Sequence, residues 1–164
     1  MGHKTGKMVR WMGVTIPNPW ASMLVMGETG VLNLSNPLEY VGTLVIRSAT
    51  ESDLGMIGAS KLDATLKDLP GTDLAGWDGF LLGTVFLCGP VTKSNDPYAT
   101  GPHMMRVVDP MAFSTPVDQA GPSDESWPIF RSTVANYVKQ AMTPDDFRAR
   151  LKRSSNRIPP PETK

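Results

Sequence analysis

Three kinds of side chain in this sequence could do chemistry: one thiol, Cys88; two imidazoles, His3 and His103; and two adjacent carboxylate pairs, Asp124-Glu125 and Asp145-Asp146. Nucleophilic catalysis needs Cys88 or a serine beside a base, and His103 is the internal histidine that could serve. No nucleophile elbow surrounds either residue. A small enzyme using Cys88 or His103 is therefore carried as one alternative, against the reading of Cys88 as a core residue closing the apolar run FLLGTVFLC. His3 and His103 are far apart in the chain and show no metal-ligand spacing, so His103 reads as a surface residue at a strand end. Both carboxylate pairs stand where helix N-termini want negative charge, and capping accounts for them. Neither G-x-x-x-x-G-K-[ST] nor G-x-G-x-x-G occurs. The expectation is a protein with no catalytic residues, no metal and no cofactor.

The basic residues suggest binding instead. Arg148 and Lys152 are four apart on a predicted helix, Arg150 and Arg153 three apart, with Arg157 beyond. They make a broad basic surface without the interleaved aromatics of single-strand binders. Lipid headgroups, RNA phosphates and an acidic protein are equally good targets. The 164 residues carry 16 Lys+Arg and 16 Asp+Glu, a net charge of zero. That zero is a cancellation. Residues 1–27 carry +3, residues 28–138 carry −7 from thirteen acids and six bases, and residues 139–164 carry +4. Basic ends can meet anionic headgroups or phosphates, or the acidic body of a neighbouring copy.

The remaining composition bounds the class. One domain with tails fits the length, and 40% apolar with 20% charged residues is ordinary for a globular chain. Fifteen Gly and fifteen Pro argue against a simple helical bundle. A single cysteine points to a reducing compartment. No leader peptide or membrane-spanning run is expected. Met1-Gly2 opens a myristoylation pattern that fails at position 6, where Gly6 replaces Ser or Thr.

The elements that must position these residues follow from pattern. Residues 11–20, WMGVTIPNPW, read as an extended strap after a basic arm, because the prolines forbid a regular helix. Its tryptophans either cover this chain's own core or dock on a partner. Residues 20–27 are expected to form a strand, with a hairpin turn at Gly27-Glu28-Thr29-Gly30 and Val31–Leu34 beyond. Residues 40–48 form a strand with Val41, Thr43, Val45 and Arg47 on one face and Leu44 and Ile46 on the other. A helix from Thr50 or Ser52 to Leu69 follows, ended by Pro70-Gly71. Residues 80–88 are apolar on both faces and read as a central strand. Residues 89–102 are loop, 103–109 a strand, and 110–125 loop again. A second helix is expected from Ser126 with Pro128 in its first turn, its stripe running Trp127, Phe130, Val134, Tyr137, Val138 and Ala141. Thr143 caps a third that begins at Pro144. The predicted fold is α+β: a single domain with an antiparallel sheet packed by two or three helices. Its parts are a Pro-Trp basic arm over 1–19, a globular domain over 20–152 and a basic Pro-rich tail over 153–164.

This order (YVGTLVIRS, the 51–69 helix, PGTDLAGWDG, FLLGTVFLC, GPVTKSND, a strand ending in Asp109, then Trp127-Pro128-Ile129-Phe130 and Asp146-Phe147-Arg148) resembles the globular domain of rhabdovirus matrix proteins, at the size of the small cytorhabdovirus ones. The resemblance implies a nonenzymatic viral structural protein. Such a protein self-associates and bridges the helical nucleocapsid to the inner face of the envelope during assembly and budding. Its partners would be copies of itself, the viral nucleoprotein, the anionic inner leaflet and the glycoprotein's inner tail. It would reside in the virion beneath the envelope, and in the host cytoplasm and at membranes during assembly. Carried onto this chain, Lys4, Lys7, Arg10, Arg148, Arg150, Lys152, Arg153 and Arg157 would face membrane or nucleocapsid. Trp11, Ile16, Pro17, Pro19 and Trp20, with Asn95, Pro97 and Tyr98 of the 89–102 loop, would serve self-association. Two features depart from the family: Pro159-Pro160-Pro161 is followed by Glu162 rather than completing Pro-Pro-x-Tyr, and the net charge is neutral. A capsid-lattice or phage-particle subunit is the alternative of the same structural kind.

Overall fold

Alternating burial along β-branched segments builds a six-stranded sheet, and three short helices cover it. The computed structural model describes residues 10–17, 20–34, 36–50, 74, 77–91, 103–118 and 125–154. The strands are β1 (Arg10–Ile16), β2 (Val31–Leu34), β3 (Gly42–Ser48), β4 (Phe80–Val91), β5 (His103–Asp118) and β6 (Ser126–Phe130). The helices are α1 (Trp20–Val25), α2 (Arg131–Lys139) and α3 (Pro144–Ser154). The α+β class stands, with strands in the majority. The expected 51–70 helix and residues 92–102 lie outside the described residues.

The sheet order is β2-β5-β4-β3-β1-β6. It is mixed rather than antiparallel, because β1 pairs parallel with β3, Met12 opposite Leu44 through Ile16 opposite Ser48. The intervening α1 and β2 supply the crossover that a parallel pair requires. β6 pairs antiparallel on the other side of β1. The strap read as part of an N-terminal arm over 1–19 is thus an interior strand from residue 10 onward. The two ends of the strand order approach one another. Just after β2, the Asn36 backbone N–H (3.1 Å) and side-chain amide (3.4 Å) donate to Oε1 of Glu125, just before β6. The sheet therefore curls toward a barrel.

Three further expectations are corrected. Residues 20–25 are a helix, not a strand, and all six are buried. A short apolar run cannot be assigned by periodicity alone, and Ala21, Met23 and Leu24 favour helix. Gly27 (φ 72°) accordingly ends a helix rather than turning a hairpin. β5 continues through 110–118, where the prolines suggested loop. Pro110 falls between the paired positions Val108 and Met111, and Pro116 between Ala112 and Val117, where the ladder against β4 shifts register. Bulges are where a strand tolerates proline. Asp109, at φ 53°, marks the first of them. Residues 126–130 are a strand, not the start of a helix. Trp127 and Ile129 are buried while Pro128 and Phe130 are exposed, and Pro128 sits on an edge strand.

Two apolar clusters hold this arrangement. The larger lies between the curled sheet and α1, gathering Val14, Leu44, Ile46, Leu82, Val85, Met23 and Leu24, with Phe147 inserted from α3. The smaller joins Val45, Leu81 and Phe113 on the opposite face to Trp127, Ile129 and Val134 of β6 and α2. The split of Val45 from Leu44 and Ile46 follows the predicted alternation of β3. α3 begins as expected: the Asp146 N–H donates to Thr143 Oγ1 at 3.2 Å, and Asp145 and Asp146 occupy the first turn.

Gly83 marks the closest approach between β4 and β5. A Cβ there would run into the Met111 carbonyl oxygen and the Ala112 backbone. Gly83→Ala is expected to lower stability by about 3 kcal/mol, measured by urea unfolding, because backbone rather than a side chain must yield.

Candidate functional site

A cleft of about 560 Å³ lies at one end of the sheet. Sheet order explains its existence. To travel from β2 to β3 the chain must pass β5 and β4. The link Pro37–Val41 makes that passage and forms one wall. The end of β4, Gly89–Val91, and the start of β5, His103–Met105, form the other. Those two strand ends are themselves paired, Pro90 with Met105 and Val91 with Met104. The walls are largely apolar: Pro37, Leu38, Val41, Pro90, Val91, Met104 and Met105. Glu39, Tyr40 and His103 are the titratable groups among them.

Tyr40 holds the link in place. Its hydroxyl donates to the Thr43 carbonyl at 2.7 Å, and its ring packs on the larger core. The hydroxyl is thus committed and the ring edges the cleft. Burial pushes the phenol above its ordinary 10.0, and a backbone hydrogen bond with Met12 opposes that push.

The pair proposed for an enzyme is not brought together. Cys88 is exposed on β4 rather than a core residue. His103 opens β5, half-buried in the cleft. Val91, not Cys88, is level with Met104, and three residues of strand, about 10 Å, separate Cys88 from Val91. A nucleophile and base must stand within hydrogen-bond reach. Among the described residues no three His, Cys, Asp or Glu side chains could hold a metal ion. No described helix is long and apolar enough to cross a membrane.

The predicted basic surface divides. Arg148 donates to the Met26 carbonyl at 3.1 Å and stands 3.7 Å from Glu28. Arg150 donates to the Ser114 carbonyl at 2.7 Å and lies over the Phe147 ring. Arg148 fastens α3 to the turn after α1, and Arg150 fastens it to β5. Lys152 and Arg153 lie on the last turn of α3, and Arg10 opens β1. Lys4, Lys7 and Arg157 fall outside the described residues.

The predicted self-association strap is largely occupied. Ile16, Pro17 and Trp20 are buried. Trp11 is half-buried, packs against the smaller cluster and lies under Arg131. Pro19, Asn95, Pro97 and Tyr98 are outside the described residues. Glu125, assigned from sequence to helix capping, instead ties β6 to the segment after β2. The cleft itself had no local signal, since its walls come from three distant segments.

Searched against protein-family models and curated proteins, the sequence matches none.

Two predictions follow from these contacts. Tyr40→Phe should cost about 1 kcal/mol at neutral pH. The folded pKa of Tyr40 lies above the unfolded one, so its stabilisation is complete below pH 10.0 and is lost as pH rises through the raised folded value. The variant should therefore lose less stability than the parent on the alkaline limb, read from urea midpoints against pH. Arg150→Ala should cost about 1–2 kcal/mol in the same assay, whereas a solvated binding arginine would change stability by no more than about 0.5 kcal/mol.

Proposed function

We propose that this chain works by contact rather than catalysis, as a structural protein that joins copies of itself. One observation carries the reading. An apolar strip leads out of the cleft over Val41, 65% exposed, to Phe86, 40% exposed. Val41 lines the cleft and immediately precedes β3, and Phe86 is the register partner of Thr43 and of Val108. Scattered surface apolar residues need no explanation, but a strip continuous with a concave apolar cleft is the signature of a docking surface.

Within this reading we propose the role of a viral matrix protein, layered between nucleocapsid and envelope. The charge distribution supports it: basic ends at +3 and +4 flank a body at −7. The ends of one copy can meet the body of the next, or an anionic leaflet. Self-association through the cleft and strip replaces the strap as the contact, since Ile16 and Trp20 are spent on this chain's own core and Pro17 is buried.

Light scattering after gel filtration tests the first part. The parent should form larger species as concentration rises, and Val41→Asp and Phe86→Asp should stay monomeric with unchanged circular dichroism. A parent that remains monomeric throughout would overturn it. Flotation with anionic vesicles tests the second. The protein should float at low salt and be released by high salt; protein left in the soluble fraction at low salt removes the membrane role.

A further inference from the structure

We propose that the exposed outer face of β3, β4 and β5 packs on the same face of a second copy about a two-fold axis along β4, so that Arg106 of each copy meets Glu39 of the other. The proposal rests on the self-association reading above and names the residues that would make its contact.

The face follows from the alternation of the strands. On β4, Phe86, Cys88 and Pro90 are exposed, every second residue, while Leu87 among them is buried in the larger cluster. Beside them on β5, Met104 and Val108 are half-buried and Arg106 is exposed. Thr43 of β3 pairs with Phe86, and Val41 just before it is 65% exposed. Two residues along β3 from Thr43, Val45 joins Trp127, Ile129 and Val134 in the smaller cluster. One half of the face is thus packed and the half holding Phe86 is open.

The open half carries two charges with no partner of their own. Among the described residues, neither the Arg106 guanidinium nor the Glu39 carboxylate has a hydrogen bond or ion pair, and both residues are exposed. They flank β4 on opposite sides, Arg106 on β5 and Glu39 on the link that enters β3. They stand at one level along it: Arg106 is the register partner of Gly89, and Glu39 lines the cleft with Gly89 and Pro90.

The occupant is a second copy because the charges are arranged for one. Rotation about an axis parallel to β4, lying in the contact plane, exchanges the β3 and β5 sides and preserves the level. It sets each Arg106 opposite the Glu39 of the other copy and β4 opposite β4, a self-complementary contact. An acidic partner of another kind would use Arg106 and leave Glu39 unmet. Arginine, methionine and an aromatic ring are the composition such contacts favour. The face spans about 14 Å across three strands and about 17 Å along five residues. That is small for a stable dimer, so the pairing is concentration-dependent.

The test uses the full chain, whose one cysteine is exposed on the axial strand. In the pair, the two Cys88 thiols face one another across the roughly 10 Å between packed sheets. A short bismaleimide bridges that gap, each thiol adding across one maleimide double bond with no leaving group. The parent should yield cross-linked dimer. Arg106→Glu and Glu39→Arg each set like charges opposite, and each should cut the yield at least about fivefold with unchanged circular dichroism. Mixed, the two variants should recover the yield as a heterodimer, because each supplies the charges the other needs. The double variant should recover it as a homodimer. Single variants that cross-link and scatter like the parent, or a parent that self-associates without a cross-link, overturn this inference and leave the self-association reading standing. Loss in the single variants with no recovery in the mixture or the double variant shows that the two charges do not meet, and overturns the pairing. A parent that stays monomeric and free of cross-links removes both.

Discussion

The parallel pairing of β1 with β3 is the constraint on which the rest of the fold depends. It carries residues 12–16 into the interior of the sheet beside residues 44–48, with β6 closing the other side. At its centre Thr15 is sealed from solvent. Its hydroxyl accepts from Trp127 Nε1 at 3.1 Å and from Arg47 at 3.5 Å, and its backbone N–H donates to the Glu125 carbonyl at 2.8 Å. Three distant segments are thus tied at one residue. Buried polar groups tied in this way specify a single arrangement, because leaving any of them unmet is costly. Gly13 makes the arrangement possible, since the Trp127 ring lies where a Cβ would stand.

The cleft is a consequence of the strand order around that pairing. β1 and β3 lie toward one side of the sheet and β2 pairs with β5 at the other, so the chain must return across β5 and β4 to form β3. The returning link is held by Tyr40 and cannot lie flat on the strands, so a concavity remains beneath it. The same topology decides the fate of the charges. Docking α3 on β5 directs Arg148 and Arg150 at carbonyls of Met26 and Ser114, turning cations that look like a binding surface into fastenings.

Some elements were legible along the chain and others were not. β3 was plain from its β-branched content, and β4 from an apolar run that suits a strand buried on both faces over Leu81–Val85. The start of α3 was plain because Thr143, Pro144 and Asp146 act on their own backbone. α1 was misread because six buried residues, five of them apolar, have no exposed face to reveal a period. The second half of β5 was misread because Pro110 and Pro116 break a strand except at a bulge, and only the partner strand decides where bulges fall. β6 was misread because Pro128 suits a helix start and an edge strand alike, and the edge exists only once β1 is in place.

By itself the sequence determined what depends on near neighbours: strand faces, the cap at Thr143, the polarised charge, and the lack of phosphate-loop and metal-ligand spacing. The tertiary structure alone decided which segments meet: β1 against β3, Asn36 against Glu125, the Pro37–Val41 link against His103–Met105, and hence the cleft. The division is physical. Local hydrogen bonding and periodicity act over a few residues and leave a mark there. Register between distant strands is chosen by burial summed over the whole core, and no short stretch of chain records that sum.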